Sequence, residues 1–162
     1  MPKTLKKSPK SAKIASKSVK QSAQKQKVTP PSVKLMECFM RDLSWESFLP
    51  PSLYRRENRD MDFHLAATVR PINPKISCVS VAIRMRLSPQ GKQPFVVCEM
   101  IQEGVFNASC ANKDDAQKIY VSGGPQVYEK ARSSLVDILS AQGIKPPLPA
   151  HVDFHKLWQD NH

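Results

Sequence analysis

Met61-Asp62-Phe63-His64-Leu65-Ala66-Ala67-Thr68-Val69-Arg70 is the stretch on which the fold of this chain turns. Met61, Phe63, Leu65, Ala67 and Val69 alternate with mostly polar residues, so one set faces a core and the other faces solvent, as in a half-buried strand. Downstream, Val79, Val81, Ile83, Met85 and Leu87 alternate with Ser80, Ala82, Arg84 and Arg86 in the same way. Ser88-Pro89-Gln90-Gly91 then supplies turn chemistry, which makes the run Phe95 to Phe106 the hairpin partner of the preceding strand. Within that run Val96, Cys98 and Met100 share one face, and Phe95, Val97 and Glu99 the other. Upstream, Leu35 to Trp45 supplies a further strand, for a total of four. Past Gly123-Gly124-Pro125 the period changes: Val127, Ala131, Leu135, Ile138 and Leu139 fall at helical spacing, with Gly143 placed to end the helix. A proline-rich connector, Pro146-Pro147-Leu148-Pro149, leads to Asp153 as N-cap of a short last helix carrying Phe154, Leu157 and Trp158. Strands first and helices last predict an α+β fold, a four-stranded antiparallel sheet followed by two helices.

The 162 residues suit one domain, and the formal charge of +11 is distributed very unevenly. Residues 1–34 hold ten lysines and no acid, whereas residues 35–162 hold fifteen basic and fourteen acidic residues, a net of +1. Lys, Ser, Ala and Gln without aromatics cannot bury enough apolar surface to offset ordering entropy. Residues 1–32 are therefore expected to form a disordered lysine-rich tail, bounded by Pro30-Pro31, ahead of a near-neutral domain at 33–162. Any polyanion affinity belongs to the tail. With no run of about 18 apolar residues and no apolar leader segment, a cytoplasmic location is expected.

Reactive clusters are not legible. Five glycines, with no lysine at the phosphate-loop offset after Gly123-Gly124, leave nucleotide binding without support. Cys38, Cys78, Cys98 and Cys110 form no CxxC pair and are read as reduced thiols. His151 and His155, at i and i+4, lack an intervening Glu and a third ligand. No cofactor, metal site or catalytic residue is expected. Of the aromatics, Trp45, Phe48, Tyr54, Phe63, Phe106 and Trp158 fit a core or a binding surface. Phe48, Leu53 and Tyr54, on the loop after the first strand, are candidate ligand contacts because loop aromatics have less packing to explain them.

Three strings in this order resemble the SecB family of protein-export chaperones. They are Arg41-Asp42-Leu43-Ser44-Trp45-Glu46, Cys98-Glu99 followed by Gly104-Val105-Phe106, and His151-Val152-Asp153-Phe154 with Leu157-Trp158. The resemblance implies a non-enzymatic, nucleotide-independent chaperone that assembles as a dimer of dimers and binds unfolded polypeptides in apolar grooves. Phe48, Leu53, Tyr54 and Trp158 are the groove candidates. It further implies delivery of clients to the SecA motor through Asp42, Glu46, Val97 and Glu99 on the sheet surface. Two features depart from the family pattern. Its acidic C-terminal tail is not matched by a chain that reaches His162 soon after Trp158, and Leu53 to Asp60 lacks the tryptophan expected near the groove. A SecB-like chaperone dedicated to one client, such as an antitoxin, and a polyanion-binding protein acting through its tail are the competing readings.

Overall fold

The computed structural model describes residues 33–48, 50, 59–89, 93–145 and 148–161. The expected tail, Leu53 and Tyr54, the Gln90-Gly91 turn and Pro146-Pro147 lie outside the described residues. Four strands come first: β1 (Lys34–Ser47), β2 (Arg59–Asn73), β3 (Ile76–Pro89) and β4 (Val96–Asn107). Two helices follow, α1 (Lys113–Ala141) and α2 (Phe154–Asn161). All pairings are antiparallel in the order β1-β4-β3-β2, which leaves β1 and β2 at the edges. This is the α+β architecture expected from the alternation.

The pleat sorts side chains as the period of two requires. Val79, Val81, Ile83, Met85 and Leu87 are buried under α1, and the register sets Val69, Ala67, Leu65, Phe63 and Met61 of β2 opposite them. Val96, Cys98 and Met100 continue that face into β4. Phe95 does not follow the alternation. It lies at a bend before β4, donates its N–H to the Leu87 carbonyl at 2.9 Å and is 1% exposed. It belongs to the core and not to the face of Val97 and Glu99, because pleat parity does not extend past the strand end.

The helix also differs from expectation. Instead of starting after Gly123-Gly124-Pro125, α1 runs through them for 29 residues. Asn112 caps its start, its side chain accepting the Asp115 N–H at 2.9 Å, while Asp114 and Asp115 complement the positive end of the helix dipole. The glycines are packing devices. A Cβ on Gly123 would lie 2.8 Å from Phe106 Cζ, and one on Gly124 would lie 2.2 Å from Phe154 Cδ1. These two close approaches let both rings seat against the helix, and burial of the flanking Ile119, Tyr120 and Val127 outweighs the poor helix propensity of the three residues. At the other end Gly143, at φ 71°, closes a Schellman motif, with Ile144 N–H on the Leu139 carbonyl and Gly143 N–H on the Ser140 carbonyl, both at 2.8 Å. Asp153 caps α2 as expected, accepting the Lys156 N–H at 3.0 Å.

Candidate functional site

Helix α1 packs chiefly over β3 and β4, so one side of the sheet is covered and the other is open. The register arranges the open face as cross-strand rows. Glu46 of β1 lies opposite Val97 of β4, then Arg86 of β3 and Asp62 of β2. The next row is Ser44, Glu99, Arg84 and His64, and the third is Asp42, Ile101, Ala82 and Ala66. Asp42, Glu46, Val97 and Glu99, the first and last 57 positions apart in sequence, are thus neighbours on two hydrogen-bonded strands. Asp42, Glu46 and Glu99 are exposed and Val97 is half-buried. Asp42, Ala66, Ala82, Arg84, Glu99 and Ile101 border a shallow hollow of about 210 Å³ between the rows.

The face is not uniformly acidic. Arg84 Nε donates to Glu99 Oε1 at 2.5 Å, with both side chains about half exposed (52% and 48%). Such a solvent-screened pair is worth at most about 1 kcal/mol, so a competing cation can displace the arginine cheaply. His64 Nε2 lies 2.9 Å from Asp62 Oδ1. One row pair further along, Glu103 has a carboxylate only 3% exposed, taking Arg41 at 2.6 Å and Arg70 at 3.3 Å. Arg41 is the extra residue at a β-bulge in β1, between Met40 and Asp42. Arg84 and Arg86 were legible as outward-facing strand positions, and a cross-strand carboxylate partner follows once the β3–β4 register is known. The Arg41–Glu103–Arg70 clamp needed the strand order as well, since it joins three strands.

The remaining site candidates separate. Phe48 is 60% exposed and borders a hollow with Arg86, Pro94 and Val97. Trp158 is 6% exposed and packs edge-on against Tyr120 at a centroid distance of 5.1 Å, so it lies in the core of this chain. Phe106 is fully buried, while Trp45 and Phe63 are half-buried. Exposed apolar residues concentrate on edge strand β1, where Met36 (58%), Phe39, Met40 and Leu43 all reach solvent, a group that the sequence reading, which assigned no face to this strand, did not single out. The four cysteines are free thiols. Burial and then the neighbouring Glu99 push the Cys98 thiol from 9.0 to about 11. Among the described residues no group of three potential ligands includes His151 or His155, and no helix is long and apolar enough to cross a membrane.

Compared with known families, residues 24–162 match the SecB family, described as preprotein translocase subunit SecB. The chain belongs to the SecB family. This is a chaperone family, and the match begins inside the lysine-rich segment and takes in every described element. Among curated SecB proteins, the protein-export protein SecB of Aromatoleum aromaticum is 24% identical over 132 residues, covering 80% of this chain and 82% of that one. A solved SecB-like chaperone of Mycobacterium tuberculosis, bound to a ChAD peptide of the HigA1 antitoxin, superposes with a TM-score of 0.58. It is 13% identical and covers 74% of this chain and 90% of that chain, which establishes a shared SecB-like fold.

Proposed function

We propose that this SecB-family chaperone holds unfolded preproteins without ATP and delivers them to a SecA-like motor docked on the open face of its sheet. The meeting of Asp42, Glu46, Val97 and Glu99 on adjacent positions of β1 and β4 carries this reading. Three exposed carboxylates around a half-buried valine suit a basic partner with some apolar character, and Arg84 yields its hold on Glu99 at little cost. The apolar residues of β1 supply a different surface. Met40 and Leu43 project on the helix side, where α1 covers the sheet edge incompletely, and extended apolar client segments fit such an adaptable, methionine-containing strip. The same edge fits self-association, as the dimer of dimers of the family implies.

The test separates the two faces. Replacing Asp42 and Glu99 together by lysine should weaken association with the motor's C-terminal segment several-fold, because like charges meet at the interface and slow the encounter. Val97→Ala should weaken it less, through lost apolar contact. Suppression of aggregation of a refolding polypeptide, measured without ATP on the same preparations, should persist in both. Unchanged motor affinity in the double-lysine variant would assign these carboxylates to ordinary solvation of a sheet face.

A second reading is a chaperone dedicated to one client, favoured by the fold match to the mycobacterial chaperone solved with an antitoxin peptide. Selective holding of a single antitoxin encoded beside this chain, with no general suppression of aggregation, would establish it in place of the first. The lysine-rich segment adds polyanion contact to either reading, with affinity falling steeply with salt.

A further inference from the structure

Phe48 shares the parity of Asp42, Ser44 and Glu46, and its N–H donates to the Phe95 carbonyl at 2.9 Å, extending the β1–β4 ladder. Its ring borders a hollow walled by Arg86 and Val97, both on the open face of the sheet, and so lies on that face and not on the helix side where Met40 and Leu43 project. Two phenylalanines meet at this hydrogen bond with opposite fates: Phe95 is 1% exposed and Phe48 is 60% exposed. Between Phe48, Arg86, Gln93, Pro94 and Val97 the surface sinks into a hollow of about 510 Å³. Pro94 brings no N–H to that wall, and Phe48 and Val97 make it apolar, so an aliphatic side chain entering it strands no donor there. The hollow is continuous with the carboxylate patch through Val97 and Glu46, which are register partners. Arg86 on its far wall repels a cation, whereas exposed Glu46 on the near side attracts one.

We propose that Phe48 is a specificity residue of the docking face, forming with Pro94 and Val97 the receptor for one apolar side chain of a basic docking peptide. The peptide's cationic residues then lie over Asp42, Glu46 and Glu99. The proposal rests on the docking reading above and moves Phe48 from the client groove to the opposite face.

The experiment uses the full chain and two labelled twelve-residue lysine-rich peptides, one with a single leucine and one with serine in its place, titrated by fluorescence anisotropy. Wild type should prefer the leucine peptide by about tenfold, the effect of burying most of one aliphatic side chain. Phe48→Ala, at an exposed position, should bind both peptides alike, with unchanged salt dependence, unchanged oligomeric state by light scattering and unchanged suppression of aggregation. Asp42→Lys with Glu99→Lys should weaken both peptides and keep the leucine preference. A leucine preference that is absent in wild type or survives in Phe48→Ala overturns the proposal. Loss of aggregation suppression in Phe48→Ala also overturns it by placing the ring in the client groove, and a changed oligomeric state does so by placing it between copies. If the double-lysine variant binds both peptides as wild type does, the docking reading falls separately from the proposal about Phe48.

Discussion

At Cys98 the alternation of β4 turns a small thiol inward next to a carboxylate that points out, and both neighbours act on its ionisation. Burial comes first and Glu99 second, and together they hold the thiol at about 11 against an ordinary 9.0. Between those values the folded chain keeps a proton that the unfolded chain has released, so the folded state binds more protons. The thiol's contribution is complete below pH 9 and is lost as pH rises towards 11, a fall of roughly 2 to 3 kcal/mol. Cys78, Tyr120 and Tyr128 are raised in the same direction, each chiefly by burial, so the whole protein should lose stability in alkali. The difference in urea stability between wild type and Cys98→Ala, followed from pH 7 to 11 under reducing conditions, isolates the one thiol. Parallel curves would show that Cys98 titrates normally in the fold.

Edge strand β1 is the element on which both proposed surfaces depend, and it is the least buried strand of the sheet. Its bulge at Arg41, the second register shift of the strand after one at Met36, lets Met40 and Cys38 face the helix side while Asp42, Ser44 and Glu46 face the open side. Glu103 is the fixed point, since its buried carboxylate holds Arg41 from β1 and Arg70 from β2. Arg41→Ala should therefore destabilise the fold by roughly 2 kcal/mol, less than the full cost of breaking a buried pair because Arg41 is half exposed and Arg70 remains. Urea titration measures that loss, and hydrogen exchange should show faster opening of β1 than of β3. Uniform exchange across the sheet would mean that the bulge is held by its backbone alone. Much of this element was legible: the Leu35 to Trp45 run marks the strand, and Asp42 and Glu46 share a parity. The bulge was not, because an extra residue shows itself only against a partner strand.

For the whole molecule, the near-neutral domain and the lysine-rich segment call for separate treatment. Removing residues 1–32 should leave the far-ultraviolet circular dichroism and the oligomeric state derived from the sedimentation coefficient unchanged, because that segment contributes no apolar periodicity to a core. Polyanion affinity should vanish with it while aggregation suppression persists; loss of the assembly on truncation would make the segment structural. The amino-acid sequence by itself determined the four strands and the inward faces of β2 and β3, the second half of α1 with its Gly143 cap, the Asp153 cap and the charge division. Each of these is a local period or a local backbone preference. Only the tertiary structure decided that α1 runs through Gly123-Gly124-Pro125, because the rings filling the space above those glycines come from Phe106 and Phe154. It likewise decided that Phe95 is buried while Phe48 is displayed, and that β1 pairs with β4 so that Asp42 and Glu46 meet Val97 and Glu99. A period of two says which side of a strand a residue takes, and strand order, set by how the whole sheet buries its apolar face under one helix, says which residues become neighbours.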